Sequence, residues 1–179
     1  MKAVEALAAD GVKLIVTVDN GISAIAESQR IYELGMELVV TDHHKVGSSL
    51  PKAQAVVDPH RPDDTAPFED WAGVGVAFKL LCALSDGESE EILENFADLI
   101  AVGTIADIVP LTNENRAIVR RGLEKINAGE NIGIKALREV SGTAERVLSA
   151  NGVAFSVVPR INAIGRIERA DKAFELLTS

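Results

Sequence analysis

The sequence predicts an α/β fold in which a parallel sheet with flanking helices is followed by a mainly helical segment. Two observations carry this prediction. A strand, a helix and a second strand follow one another between residues 12 and 41, which is the succession of a βαβ unit. After Trp71 the apolar residues recur with helical spacing instead. The chain has 179 residues and is 47% hydrophobic, which is sufficient for a packed core.

The sheet part begins with a helix over the first ten residues. The β-branched run VKLIVTV, residues 12–18, predicts a strand covered on both faces, as strands of parallel sheets usually are. The stretch SAIAESQRIYEL predicts a helix that ends before Gly35. ELVVT, residues 37–41, predicts the next buried strand.

A third strand, AQAVV, ends at Val57, and a polar loop with three prolines leads from it to Trp71. The remaining apolar stretches predict helices. These are GVGVAFKLLCALS, SEEILENFADLIAVGTIA, NRAIVRRGLEKIN, IGIKALREV and RADKAFELL. We therefore divide the chain into a first domain, residues 1–114, and a helical segment, residues 115–179.

Charge is distributed unevenly between these two parts, although the net charge of the chain is −9. Residues 1–114 carry 7 basic and 20 acidic side chains, whereas residues 115–179 carry 11 and 7. The acidic part could be a solvated surface or a cation site, and the basic part could face an anionic partner. The simpler interpretation of the basic part is a set of solvated helix faces, which would present Arg120, Arg121, Lys135, Arg138 and Arg146.

The sequence argues against a membrane protein and against a disulfide-stabilised secreted protein. Cys82 is the only cysteine, so no disulfide framework can form. The N-terminus lacks the apolar stretch of a signal peptide, and the longest apolar stretch is interrupted by Asp107 and Pro110. We therefore expect a cytoplasmic protein with no membrane partner.

Ionisable residues stand directly after two neighbouring strands. Asp19 follows the first strand in TVDNG, and Asp42, His43 and His44 follow the second in TDHHK. Ligand sites of open parallel sheets form outside the carboxyl ends of the strands. Carboxylate and imidazole ligands without thiolates favour manganese or magnesium over structural zinc. A single aspartate at such a place, and equally Asp107 after the helical stretch GTIA, can instead be a turn or cap residue.

The two adjacent histidines are predicted to have different tasks. Neighbouring side chains of an extended chain point to opposite sides, so His43 and His44 should not both reach one ion. One would be a ligand and the other would face an anionic substrate, while Asp42 orients an imidazole. Asp58 and His60, in DPHRP, are expected to be structural.

Five motifs together resemble the DHH phosphoesterase superfamily, and within it the single-strand-specific DNA exonucleases. In chain order they are VTVDNGIS, VVTDHH, LPKAQAVVDPHRP, LIAVGTIADIVPLTNENR and PRINAIGR. The resemblance implies a hydrolase that cleaves phosphodiester bonds of single-stranded DNA from 5′ to 3′, in DNA repair and recombination. It also implies two divalent cations, with Mn²⁺ preferred and Mg²⁺ possible, that activate a water and hold the phosphate.

The resemblance assigns roles to individual residues. Asp19 would bridge both cations, and His43 and Asp107 would be ligands of one of them. His44 would contact the scissile phosphate, with Asp42 supporting the pair of histidines.

The PRINAIGR motif would join the catalytic core to the nucleic-acid-binding part. Its phosphate-binding candidates are Arg160, Asn162 and Arg166, and arginine suits such contacts through its bidentate fork. A structural cap and linker is the alternative interpretation of this motif.

One departure from the family pattern limits the expected activity. Family members carry a His-x-Asp-x-Asp-Gly type motif on an earlier strand, and this sequence contains neither Asp-x-Asp nor His-x-Asp. We therefore expect residues 1–114 to be a partial DHH domain with an incomplete metal site, and residues 115–179 to lead toward an absent substrate-binding domain. The chain alone should be inactive, and an uncovered sheet edge should favour self-association.

Two other functions remain open at this point. The first is a DHH phosphoesterase that acts on small phosphates such as pyrophosphate or short oligonucleotides. The second is a non-catalytic DHH descendant that serves as a replication or repair scaffold. The helical stretch through PRINAIGR weighs against the first. The sequence encoded immediately upstream separates an enzyme from the scaffold, because an intact His-x-Asp-x-Asp-Gly motif there would favour an enzyme.

Overall fold

The computed structural model describes residues 1–167 and 170–179, and the side chains of residues 1–164 and 170–179. The strands are β1 (Leu14–Val18), β2 (Glu37–Thr41) and β3 (Ala55–Val57). The helices are α1 (Lys2–Ala9), α2 (Ile25–Glu33), α3 (Gly73–Leu84), α4 (Ser89–Ala106), α5 (Asn113–Ala128), α6 (Ile132–Val140), α7 (Ala150–Ser156), α8 (Val158–Ile167) and α9 (Ala170–Leu177). These elements form two compact units, Met1–Leu81 and Cys82–Ser179.

The first unit contains a parallel sheet with strand order β1-β2-β3. Its register pairs Val18 with Thr41 and Thr41 with Val57, so the three strands end side by side. The residues that follow the strands are therefore brought to one edge of the sheet. The predicted fold class, a parallel sheet with flanking helices and a helical second part, is confirmed.

One face of this sheet is buried under α1 and α2. Apolar residues of both helices and of β2 form a cluster in which each member is less than 9% exposed. Its members are Val4, Ile31, Met36, Leu38 and Val40. Burial of this face supplies the hydrophobic free energy that holds the two helices on the sheet.

The other face of β1 is open, contrary to the expectation that this strand is covered on both sides. Leu14, Val16 and Val18 are 46 to 50% exposed, while Ile15 and Thr17 between them are partly buried. A run of β-branched residues indicates a strand but does not show which of its faces a neighbour covers.

The second unit is built around α4 and α5. Gly122 of α5 faces Ala97 and Ala101 of α4 so closely that a Cβ atom at Gly122 would clash with both. The backbones of the two helices therefore meet without an intervening side chain. Around them lies a core to which α6, α7 and α8 contribute Ile134, Leu137, Val153, Val157 and Val158.

Arg138 of α6 is buried in this unit at 5% exposure, so its interpretation as part of a solvated helix face was wrong. Its guanidinium donates hydrogen bonds to the carbonyl oxygens of Ile126, Asn127, Ala144 and Arg146, at 2.6 to 3.4 Å. These bonds pair Nη1 and Nη2, and pairing of most of its donors is what makes a buried guanidinium tolerable. Arg138 thus ties the end of α5 to the loop that precedes α7.

Two helices were missing from the sequence prediction, namely α7 and α8. Local signals for them exist: the hydroxyl of Ser149 accepts a hydrogen bond from the amide of Gly152 at 3.3 Å, which caps α7. Pro159 stands in the first turn of α8, where its missing N–H costs no helical hydrogen bond. PRINAIGR is therefore helical through Gly165 and Arg166, in agreement with a helical segment at this place.

None of the helices within the described residues has the length and apolar character needed to cross a membrane.

Candidate metal centre

Three aspartates stand in a row at the carboxyl edge of the sheet. Asp19, Asp42 and Asp58 each follow the last residue of a strand, and the register of the sheet makes them neighbours. The amides of the first two continue the pairing, since Asp19 N–H donates to Thr41 O at 3.1 Å and Asp42 N–H donates to Val57 O at 3.0 Å. The environments of the three carboxylates differ strongly, because Asp19 is exposed whereas Asp42 and Asp58 are each 1% exposed.

Asp19 leaves the strand through a sharp turn. Its φ of 62° lies in the left-handed region, which a short polar side chain tolerates better than most. The side-chain amide of Asn20 donates to Val18 O at 2.9 Å. Gly21 follows with φ 114°, and a Cβ atom there would lie 2.7 Å from Oγ1 of Thr17. Gly21 is therefore needed in this turn both for its backbone angle and for space.

Asp42 organises the loop that carries the two histidines. Its Oδ2 accepts a hydrogen bond from the amide of Ile22 at 2.9 Å. Its Oδ1 accepts from the amides of His43 and His44 at 2.8 and 3.3 Å, and lies 2.6 Å from Nδ1 of His44. Burial by itself raises the pKa of Asp42, but these hydrogen bonds from Ile22, His44 and His43 outweigh it and lower the pKa below its ordinary value.

His43 and His44 converge, which corrects the expectation that they point to opposite sides. Their ring centroids lie 4.5 Å apart, and Nε2 of His43 lies 3.0 Å from Oδ1 of Asp19. The strand ends at Thr41, so the alternation of an extended chain no longer applies beyond it. The two amide hydrogen bonds to Asp42 instead turn the chain and bring both imidazoles to the same side.

The donors of Asp19, His43 and His44 fit a divalent cation. One ligand atom from each of the three lies within 4.8 Å of the other two. Two ligands of one ion can be at most about 4 Å apart for Mg²⁺ and about 5 Å apart for Ca²⁺, so only a small adjustment of the side chains is needed for binding. One carboxylate oxygen and two imidazole nitrogens are also a donor set suited to Mn²⁺. His44 and Asp19 are largely exposed, at 60% and 56% of their side chains, so the place is accessible to a ligand.

The other predicted site residues belong to the second unit. Asp107 is exposed and follows α4 as its C-cap. Arg160 of α8 is half-buried and donates to the carbonyl oxygen of Ser156 at 2.6 Å, whereas Asn162 is exposed. The side chain of Arg166 lies outside the described residues. The functional roles of these four residues stay predictions.

Asp58 is a residue whose position sequence reasoning undervalued. Its Oδ1 accepts from the amide of His60 at 2.8 Å, while its buried Oδ2 has no hydrogen-bond partner among the described residues. Burial raises the pKa of Asp58 above its ordinary value, which the amide of His60 offsets only in part. The neighbouring charge of Asp42 raises this pKa further. The signal that could have singled it out is its place directly after the third strand, in line with Asp19 and Asp42.

Comparisons with known proteins agree with this arrangement. The model of the DHH family, N-terminal domain, matches residues 2–104. Over 169 residues the chain is 47% identical to the single-stranded-DNA-specific exonuclease RecJ of Bacillus subtilis (strain 168), covering 94% of this chain and 21% of that protein. Over 182 residues it is 43% identical to the protein of the same name from Dickeya dadantii (strain 3937), covering 95% and 32%.

A solved structure gives the same result for the fold. The crystal structure of RecJ in complex with Mn²⁺ from Thermus thermophilus aligns with a TM-score of 0.81 and 41% identity, over 99% of this chain and 26% of that chain. The chain thus spans between a fifth and a third of the length of these relatives. Since the family model covers more than half of its residues, the chain belongs to the DHH family.

Proposed function

We propose that this chain is part of a metal-dependent exonuclease that hydrolyses single-stranded DNA from 5′ to 3′ and serves DNA repair and recombination in the cytoplasm. The observation that carries the proposal is the convergence of Asp19, His43 and His44 on one place at the carboxyl edge of the sheet. Its support is the DHH family membership together with the likeness to exonucleases named RecJ. The uneven charge fits, because the carboxylates that would hold cations lie in the acidic residues 1–114.

We propose two divalent cations as cofactors, with Mn²⁺ preferred over Mg²⁺. When bound, such cations lower the pKa of a water and neutralise charge on the phosphate. Asp19, His43 and Asp107 are the ligands in this proposal. Asp42 holds His44 through Nδ1. In this proposal His44 acts as a protonated imidazolium, which donates a hydrogen bond to a phosphate oxygen through Nε2.

DNA contacts are proposed for Arg160, Asn162 and Arg166 on α8. Arg160 donates one N–H group to Ser156 O, and a guanidinium has five such groups, so others can donate to a phosphate. Asn162 is exposed and offers an amide to a phosphate or sugar.

The 179-residue chain by itself is proposed to be inactive. It contains neither Asp-x-Asp nor His-x-Asp, so the ligands that the family resemblance assigns to the other cation are not among its residues. A single incomplete metal site cannot hold both the attacking and the leaving oxygen.

The test compares the 179-residue chain with the full-length protein of the gene that encodes it. Both are incubated with single-stranded oligonucleotides labelled at either end, with Mn²⁺, with Mg²⁺ and with a chelator. We expect 5′ to 3′ degradation by the full-length protein only, and a loss of about a hundredfold or more on His43→Ala. His60→Ala is the matched control, because His60 lies outside the cluster.

Other outcomes would point to the remaining functions. Intact DNA with hydrolysis of pyrophosphate or short oligonucleotides would indicate a phosphoesterase for small phosphates. Failure to hydrolyse any of these substrates would indicate a scaffold and would contradict the proposal.

A further inference from the structure

The first residue of α3 lies directly against the side chain of Asp19. A Cβ atom built on Gly73 would come closer than 3.0 Å to three atoms of that side chain, namely Oδ1, Cγ and Cβ. Real Cβ atoms essentially never show contacts this short. Among the amino acids, only glycine leaves the space in which the Asp19 side chain lies.

The same oxygen atom takes part in the candidate metal centre. Oδ1 of Asp19 is both the atom nearest to the missing Cβ of Gly73 and the atom 3.0 Å from Nε2 of His43. Any group placed on Gly73 therefore acts on a proposed ligand atom itself, and not on a distant part of the residue.

Asp19 has little freedom to move aside. Its φ of 62° is already in a sparsely populated region, and its amide is held by Thr41 O at 3.1 Å. An aspartate side chain can escape a clash at its Cβ only by a shift of the backbone, because the side-chain torsions move only the atoms beyond Cβ. A shift of the backbone would also carry the carboxylate away from His43.

We propose that Gly73 is a positioning residue of the metal centre: the absence of a side chain at the start of α3 is what allows the Asp19 carboxylate to meet His43 and His44. The inference rests on the proposed function in taking this cluster as a cation site. The metal centre would then also require a glycine at the start of α3, a helix that supplies none of the proposed ligands.

A matched control exists two residues further along α3. A Cβ atom on Gly75 would also come closer than 3.0 Å to a neighbour, but that neighbour is the ring of Trp71. Gly73→Ala and Gly75→Ala thus introduce the same atom, in the same helical turn, with comparable crowding. Only the first substitution crowds Asp19.

The experiment measures Mn²⁺ affinity by titration calorimetry and determines crystal structures of the same variants. The variants are Gly73→Ala, Gly75→Ala and Asp19→Ala, made in the full-length protein and compared with its wild type. We expect Gly73→Ala to weaken Mn²⁺ binding by about tenfold or more and Gly75→Ala to leave it unchanged. In the crystal of Gly73→Ala, the Asp19 carboxylate should have moved out of contact with His43.

Failure of the inference and failure of the proposed function give different results. If Asp19→Ala abolishes Mn²⁺ binding while Gly73→Ala binds normally, the positioning role is wrong and the metal centre stands. If the wild-type full-length protein and its Asp19→Ala variant do not differ in Mn²⁺ binding, the metal centre is wrong. In either case, a Gly73→Ala crystal with Oδ1 of Asp19 still 3.0 Å from Nε2 of His43 overturns the positioning role.

Discussion

Asp42 and Asp58 show how two carboxylates in equivalent places acquire opposite properties. Both follow a strand, both are 1% exposed, and they are neighbours in the sheet. Asp42 accepts hydrogen bonds on both oxygens, whereas one oxygen of Asp58 has no hydrogen-bond partner in the part of the chain that the structure describes. The number of N–H groups that face each carboxylate therefore decides whether its charged form is favoured.

The substitution Asp42→Asn should destabilise the protein at neutral pH by about 1–3 kcal/mol, because an amide cannot accept hydrogen bonds on both of its atoms. The pKa of Asp42 is lowered, so its stabilisation is present above the ordinary value of 3.8 and is lost as the pH falls through the folded-state pKa. Urea unfolding should be measured at pH 7 and at about pH 3. The difference in free energy of unfolding between wild type and variant should be smaller at the lower pH. A gap that widens on acidification would contradict this account.

Asp58→Asn should show the opposite dependence on pH. The pKa of Asp58 is raised, so the folded wild-type protein gains stability by binding a proton as the pH falls toward 3.8, and the variant cannot. In the same unfolding experiments, the free energy of unfolding of the wild type should therefore rise relative to that of Asp58→Asn as the pH is lowered. Equal slopes for the Asp42 and Asp58 variants would refute the assigned environments.

At the scale of elements, packing in the second unit depends on single atoms and single side chains. Helices α4 and α5 approach each other at Gly122, where even a methyl group has no room. Helices α5 and α6 are joined through Arg138, whose guanidinium satisfies carbonyl oxygens at the end of α5. Last-turn carbonyls have no partner inside their own helix, so an outside donor is needed when they are buried.

Arg138→Lys should destabilise the protein by about 2–4 kcal/mol although the charge is kept. A lysine ammonium cannot reach both the end of α5 and the carbonyl oxygens of Ala144 and Arg146 in the planar geometry of a guanidinium. Thermal and urea unfolding measure the loss. The control is Arg120→Lys on the exposed face of α5, where the side chain is 85% exposed and no change is expected.

At the scale of the whole molecule, the open face of β1 is an exposed apolar surface of the first unit. Leu14, Val16 and Val18 lie side by side on it at 46 to 50% exposure, and within the described residues β1 pairs with β2 alone. Unpaired strand edges and contiguous apolar patches favour pairing with another chain. The net charge of −9 opposes such contacts at low ionic strength.

The protein should therefore self-associate through this face in a concentration-dependent and salt-dependent manner. Sedimentation velocity at rising protein concentration should show a species larger than a monomer, and added salt should increase it. Val16→Lys should shift the equilibrium toward monomer, whereas Val147→Lys, at an 89% exposed site in the second unit, should not. A clean monomer at high concentration and high salt would disprove the prediction.

The sequence by itself determined the order and the extent of most elements. Residues Glu37–Thr41, Ser89–Ala106 and Ile132–Val140 have the bounds that their apolar patterns predict. The location of Asp19 and of the two histidines at strand ends also follows from the sequence, because a parallel sheet collects the ends of its strands at one edge. Apolar periodicity and turn residues determine structure over a few positions along the chain, so they can be recognised from the sequence alone.

Only the tertiary structure decided which of these residues meet and which are buried. The contact of Asp19 with His43, the burial of Asp58 and Arg138, the open face of β1 and the contact of Gly73 with Asp19 all depend on neighbours distant in sequence. The physical reason is that burial and close approach are properties of pairs of elements, and the residues of one element do not encode what its partner places opposite them.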